Sequence, residues 1–269
     1  MLREQRITEN GIKTIDKVEI AIERLRYFEP EEGYYLAFGG GKDSVVIYDL
    51  AVKAGVKFDA HYNLTTVDPP ELVHFIRREY PDVENHRPEK TMWQLIVEKG
   101  MPPLQQLRWC CKELKESGGV GRLVVTGVRR AESTKRSKRR EVEQCLRGAA
   151  KTYVNVIVDW SDEDVWQYIR RHNVKYCQLY DEGFKRLGCV MCPMANKKRL
   201  IEAARWPKIA ALYRRACVKA FNESIKNKKG PAWNRYGKAG SWRAGDDMYE
   251  WWISGMGNKG DPDQGVLFE

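Results

Sequence analysis

Apolar side chains recur along this chain in two rhythms. Between residues 11 and 28, Ile12, Ile15, Val18, Ile22 and Leu25 fall at helical spacing, which predicts one amphipathic helix. Residues 33–38 (GYYLAF) form a short apolar run and predict a buried strand. A glycine-rich turn follows, then helical spacing over 43–54. A second strand is predicted over 58–63, a helix over 70–80 that Pro81 stops, and another over 91–99. Residues 122–126 (RLVVT) predict a third strand ending at Gly127, and 153–158 a fourth. A helix over 162–172 opens with Ser161 as N-cap and Asp162, Glu163 and Asp164 in its first turn. That capping is a sufficient structural reason for the acids, and the neighbouring tryptophans read as core. Strands alternating with helices predict an α/β fold, a parallel sheet with helices on both faces.

The rhythm changes after residue 194, where no strand pattern remains. Residues 197–226 predict basic helices broken at Pro207, and the tail from Lys228 is rich in Gly, Trp and charge. With 269 residues the chain can bury a large core, and 42% hydrophobic with 31% charged residues fits a soluble globular protein. No apolar run of about 18 residues predicts a membrane span, and MLREQRITEN has no apolar signal region. Seven cysteines, an odd number, argue against a secreted disulfide framework, so a reducing cytoplasm is the expected location. The net charge of +10 is concentrated in residues 129–140 and 197–229. Such stretches suit phosphates of a nucleotide or nucleic acid, or are simply solvated basic faces.

Four of the cysteines are paired, as Cys110-Cys111 and as Cys189-Val-Met-Cys192. A C-x-x-C turn brings two sulfurs to one point, and four thiolates are the usual complement for a [4Fe-4S] cluster or a tetrahedral zinc. Adjacent cysteines are not regular zinc spacing, which favours the cluster. A redox disulfide is the weaker reading, because no thioredoxin-like βαβ pattern surrounds Cys189 and Cys192. Four unrelated buried thiols are the remaining alternative.

Phe38-Gly39-Gly40-Gly41-Lys42-Asp43-Ser44 stands at a predicted strand-to-helix junction. Glycines let backbone N–H groups approach an anion, and the helix adds its positive end. Ser44 offers a hydroxyl and Lys42 a charge. The spacing is too short for the G-x-x-x-x-G-K-[ST] loop. A capped glycine turn without a ligand is the alternative. Thr65, Thr66 and Asp68 follow the second strand at the carboxyl end of the sheet, where ligands bind, and are further candidates. So are Gly127, Arg129, Arg130, Ser133 and Arg136 after the third strand, whose arginines suit phosphate or sulfate oxygens.

These residues carry a specific resemblance. Residues 39–44 resemble the PP-loop S-G-G-x-D-S of the Rossmann-like adenine nucleotide α-hydrolase (HUP) superfamily, with Gly39 in place of the serine. Arg108–Lys115 (RWCCKELK) is similar to the R-x-C-C-x-x-L-K signature of the phosphoadenosine phosphosulfate (PAPS) reductase family. GVRRAES at 127–133 resembles its G-x-R-x-x-E-S loop, and DWSDEDVW at 159–166 its D-W-[ST]-x-x-D-V-W helix start. Residues 180–193 resemble its Y-x-x-G-x-x-R-x-G-C-x-x-C-P stretch. The resemblance implies a nucleotide-binding domain over 1–194 with a four-cysteine cluster site; the change of pattern beyond it predicts a basic helical extension over 195–269. The resemblance also implies ATP, PAPS or its 3′-unphosphorylated form (APS) as ligand, with Mg²⁺ as a further candidate. Lys42, Asp43, Ser44, Arg129 and Arg136 are its implied catalytic residues.

One family feature is missing. Sulfonucleotide reductases carry a nucleophilic cysteine in a C-terminal E-C-G-[LI]-H motif, whereas this chain ends GDPDQGVLFE and its last cysteine is Cys217. Helical spacing with Leu212, Val218 and Phe221 reads Cys217 as a packed thiol; Cys145 and Cys177 are read the same way. The leading expectation is therefore an enzyme that converts ATP to AMP and pyrophosphate to activate an acceptor. Sulfur transfer or nucleic-acid modification would follow, with a sulfur carrier or RNA or DNA as partner. The alternatives are a sulfonucleotide reductase with a displaced or partner-supplied thiol, and a nucleotide- and RNA-binding accessory subunit of a phage or defence system.

Overall fold

A computed structural model describes residues 2–8, 11–145, 150–195, 198–226, 242 and 244–255. The chain divides into two compact units. The first is Met1–Asn63, Pro70–His86 and Gly118–Leu187; the second is Leu64–Pro69, Arg87–Ser117 and Gly188–Glu269. The division is thus interleaved rather than a single boundary at 194.

The first unit opens with an antiparallel hairpin, β1 (Arg3–Thr8) and β2 (Gly11–Asp16), followed by α1 (Lys17–Tyr27). The helix expected from residue 11 therefore starts at 17. β-branched Ile12, Thr14 and Ile15 pair with β1, as suits a pleated strand. Asp16 then caps α1, its carboxylate accepting from the N–H groups of Val18 (2.9 Å) and Glu19 (3.3 Å).

A six-stranded sheet follows, built from β3 (Tyr34–Ala37), β4 (Phe58–Asn63), β5 (Glu84–His86), β6 (Leu123–Thr126), β7 (Val142–Gln144) and β8 (Thr152–Asn155). Its order is β5-β4-β3-β6-β8-β7, parallel throughout except for the antiparallel edge strand β7. The short strands β5 and β7 carry no apolar pattern and so give no signal in the sequence. β8 ends earlier than expected: Val156, Ile157 and Val158 remain buried but belong to a turn.

Helices α2 (Lys42–Ala54), α3 (Pro70–Glu79) and α6 (Asp162–His172) complete the unit. α2 buries Val45, Val46, Ile47, Leu50 and Ala51 in the core, beside Leu36, Val125 and Val154 of the sheet. At roughly 1.5–3 kcal/mol for each fully buried large aliphatic side chain, this layer holds the loop preceding α2 in place. The fold is the expected α/β class, with one antiparallel edge strand added.

The second unit is helical: α4 (Met92–Lys99), α5 (Trp109–Leu114), α7 (Lys198–Arg205), α8 (Pro207–Lys226) and α9 (Gly245–Ile253). Trp252, fully buried, donates its indole N–H to the Pro103 carbonyl at 2.8 Å and lies 4.7 Å from the buried Tyr213 ring. Tyr213 meets Trp93 of α4 edge-on at 5.0 Å. These rings join segments far apart in sequence, which is why the unit interleaves with the first. A Cβ on Gly245 would lie 2.3 Å from Val218 Cα, so α9 can begin against α8 only with glycine there. Among the described residues no helix is long and apolar enough to cross a membrane. The expected tryptophan-rich tail, with Trp233, falls mostly outside the described residues.

Candidate functional site

The sheet order of the first unit reverses between β3 and β6. Loops leaving neighbouring strands there diverge to opposite sides, opening a crevice at the carboxyl ends. The Gly39–Gly41 loop leaves β3, and the Gly127–Arg129 loop leaves β6.

Each loop depends on glycine. Gly40 has φ +67°, and a Cβ on it would lie 2.6 Å from Ile76 Cδ1. A Cβ on Gly127 would lie 2.9 Å from Asp43 Cβ, so the second loop lies directly against the first turn of α2. Gly39, where the PP-loop pattern has serine, faces open space, and a Cβ there would meet nothing within 4 Å. Gly41 takes the N-cap position of α2 with no side chain of its own to cap the helix, whose N-terminus is the positive end of the helix dipole. Ser44 Oγ donates to the Gly41 carbonyl at 2.8 Å.

Two buried cations flank this helix end. Arg129, 2% exposed, donates from Nε to Asp43 Oδ1 at 2.7 Å and from Nη2 to Asp162 Oδ1 at 3.0 Å. Lys42, 5% exposed, places Nζ 3.0 Å from Asp162 Oδ1 and 3.5 Å from Asp43 Oδ2. Burial pushes Asp162 up, but the hydrogen bond from Lys42 and the charges of Lys42 and Arg129 hold it below the ordinary carboxylate range. The Lys42 N–H donates to the Tyr180 hydroxyl at 2.8 Å, and burial raises the Tyr180 pKa.

The other candidates near this site have supporting or peripheral places. Phe38 is buried beside Tyr48 and Tyr80, and its N–H donates to the His61 carbonyl at 2.9 Å, so its role is packing. Arg130 donates to the Arg139 carbonyl at 2.7 Å, while Ser133 is exposed. Arg136 pairs with Glu132, which also accepts from the Arg129 N–H at 2.9 Å. Asp162 and Tyr180 are site residues that the sequence pattern does not single out. Asp162 reads as a helix-capping acid, and Tyr180 is visible only as the first letter of a motif.

The second unit gathers the four paired cysteines. Cys110 and Cys111 lie on α5; the C-x-x-C turn closes with the Cys192 N–H donating to the Cys189 carbonyl at 3.3 Å. A hydrogen bond to Cys111, burial and the neighbouring Cys189 and Cys192 sulfurs push the Cys110 thiol up. The same hydrogen bond, aided by Arg108 and opposed by burial, draws the Cys111 thiol down. Cys189 and Cys111 also act on Cys192, whose thiol burial raises. Lys115 is hydrogen-bonded to Cys189, and the charge of that sulfur, with that of Asp68, raises its pKa.

Thr65, Thr66 and Asp68 belong to this second unit. The Cys189 thiol donates to Thr65 Oγ1 at 3.4 Å, the Thr65 N–H to Asp68 at 2.7 Å, and the Met92 N–H to Thr66 Oγ1 at 3.0 Å. Their hydrogen bonds brace the cysteine site. Cys217 is buried in α8 with its thiol pushed up to about 12 by burial, and Cys177 is likewise buried and raised. Cys145 is half-buried, 3.8 Å from the Tyr153 hydroxyl.

A doubly wound α/β domain with a glycine loop and two buried cations, both paired with carboxylates, at its switch point is therefore one half of this protein, and a helical unit carrying four cysteines the other. The sequence model of the phosphoadenosine phosphosulfate reductase domain matches residues 33–195, and the chain belongs to that family. It is 28% identical over 222 residues to an uncharacterized protein of Methanocaldococcus jannaschii, covering 76% of this chain and 45% of that protein. The chain thus spans about half the length of this relative. An adenosine 5′-phosphosulfate reductase of Oceanobacillus iheyensis is 28% identical over 62% of this chain and 74% of its own. A protein of Schizosaccharomyces pombe named as a probable FAD synthase is 28% identical over 65% of this chain and 67% of its own.

Proposed function

We propose that this chain is an adenine-nucleotide enzyme that binds ATP phosphates on residues 39–44, releases pyrophosphate, and passes an activated adenylate to an acceptor. Sulfur transfer or nucleic-acid modification is the downstream class. The observation that carries the reading is the pairing of Lys42 and Arg129, both buried beside the α2 N-terminus and both bonded to the exposed Asp162 carboxylate. Fixed donors of this kind offset charge that develops on a departing pyrophosphate. Asp43 and Asp162 hold both cations in register until phosphate oxygens replace Asp162, whose side chain is 64% exposed. The S. pombe relative's name, a synthase of an adenylyl-containing cofactor, supports adenylate chemistry.

Cys110, Cys111, Cys189 and Cys192 would hold a [4Fe-4S] cluster. The hydrogen bond between Cys110 and Cys111, and the effect of the Cys189 and Cys192 sulfurs on Cys110, support one shared four-thiol site. When bound, the cluster would supply a redox-active iron–sulfur centre. Mg²⁺ would accompany the nucleotide, as its phosphates require a counter-charge.

The Oceanobacillus relative's name favours a second reading, sulfonucleotide reduction. That reaction needs a thiolate within attack distance of sulfur, and Cys177 and Cys217 are buried with raised pKa. The thiol would then be the half-buried Cys145 or come from a partner. Anaerobically purified protein incubated with ATP, APS and PAPS separates the readings. AMP and pyrophosphate from ATP are expected, with no thioredoxin-dependent sulfite. Sulfite release abolished by Cys145→Ala, Cys177→Ala or Cys217→Ala would overturn the proposal.

A further inference from the structure

One face of the sheet carries a polar group that the nucleotide reading leaves unused. Strand alternation puts Asp59, His61 and Asn63 of β4 on the same face. The parallel register sets His61 beside Glu84 and Asn63 beside His86 of β5. His61 Nδ1 lies 2.7 Å from His86 Nε2 and 3.4 Å from Glu84 Oε2. One ligand atom from each of these three residues lies within 4.8 Å of the other two.

The surroundings order this group. The second nitrogen of His61, Nε2, is hydrogen-bonded to Asp59 Oδ2. Arg122 in turn grips Asp59 with both ends of its guanidinium, Nη1 at 2.6 Å and Nη2 at 2.5 Å. Tyr35 stacks on the His61 ring at 4.0 Å with planes 6° apart. A carboxylate on the far nitrogen of an imidazole fixes its tautomer, leaving the near nitrogen's lone pair for a cation.

We propose that His61, Glu84 and His86 bind a divalent first-row transition cation, zinc by preference, with Asp59 and Arg122 orienting His61 from behind. Two imidazoles and a carboxylate are borderline donors that suit zinc rather than the all-oxygen shells of magnesium or calcium. His61 is 9% exposed at its side chain, whereas Glu84 and His86 are 64% and 39% exposed, so the cation enters from solvent at the outer strand. Two nitrogens on one tetrahedral zinc stand about 3.3 Å apart. The His86 ring, on edge strand β5, moves out from its 2.7 Å separation to about that distance as the ion enters. Three protein ligands leave a fourth position for water or a substrate atom. The ion would also fasten the three-residue strand β5 to β4.

The test uses the full chain, purified anaerobically and freed of adventitious metal by chelation, titrated with Co²⁺ as an optical probe and with Zn²⁺ in competition. One Co²⁺ is expected to bind with visible bands that lack thiolate-to-cobalt charge transfer, and Zn²⁺ should displace it. His86→Ala, at a half-buried position of the edge strand, and Glu84→Gln, at an exposed one, should fold as wild type and weaken that site at least about tenfold. Cys192→Ala should retain it; should that variant fail to fold, the wild-type spectrum identifies the ligands alone. Equal affinity in wild type and His86→Ala, or a spectrum of thiolate type only, would overturn the proposal.

Discussion

Arg129 Nε donates to Asp43 Oδ1 at 2.7 Å, tying the loop after β6 to the first turn of α2. The two residues are 86 positions apart, and their contact joins the two loops across the switch point of the sheet. Asp162 completes the arrangement by accepting from both Arg129 and Lys42.

On the proposed function, a ligand anion displaces Asp162 from the two cations. Asp162→Asn should tighten binding of ATP or pyrophosphate several-fold by calorimetry, because no carboxylate then competes for the two cations. It should also lower thermal stability, since two buried cations lose a counter-charge. Weaker or unchanged anion affinity would remove Asp162 from this role.

Gly40 and Gly39 should respond oppositely to a side chain. Gly40→Ala forces a Cβ into Ile76 at a left-handed φ, and should cost about 2–4 kcal/mol in denaturant unfolding. Gly39→Ser meets open space and restores the hydroxyl of the PP-loop pattern. It should leave stability unchanged and hold or improve ATP affinity. A destabilised Gly39→Ser would contradict the loop geometry.

The cysteine site makes a prediction about metal content. Anaerobic protein should be brown and carry iron and acid-labile sulfide, with colour bleached by dithionite. Cys192→Ala should lose the iron and much of its solubility, because cluster ligation contributes folding energy. Iron-free protein with full native stability would refute the cluster.

Acid should unfold the first unit through Asp164. Lys17 Nζ lies 2.8 Å from its buried carboxylate. Burial raises the Asp164 pKa, but the hydrogen bonds from Lys17 and the Ser161 N–H outweigh it and hold the group far below normal. A carboxylate so depressed contributes stability that is present above its unfolded pKa, about 3.9, and is lost as pH falls through the folded value. Asp164→Asn should cost about 3 kcal/mol at neutral pH and flatten the fall in melting temperature below about pH 4. An equally steep acid limb in the variant would assign it to other groups.

Much of the fold was legible because apolar periodicity and capping are local. The strand over 58–63 and the helix over 162–172 match β4 and α6 at both ends. The failures are also local in origin. Residues 11–16 fit a helical spacing, yet strand pairing with β1 claimed them. β5 reads ENH and β7 reads VEQ; three polar-rich residues carry no period, and only a neighbouring strand makes them strands.

The sequence by itself determined the elements, the glycine loop, and the two cysteine pairs, because each is a short pattern whose chemistry needs only neighbours along the chain. Tertiary structure decided which distant groups share a site. Asp162 reads locally as a first-turn acid, but the sheet order brings it to Lys42 and Arg129. Asp59, His61, Glu84 and His86 are scattered letters until strand register aligns β4 with β5. Thr65 and Asp68 follow a sheet strand in sequence, yet their hydrogen bonds commit them to the cysteine unit. Side-chain partners across long sequence separations depend on packing, which no local pattern encodes.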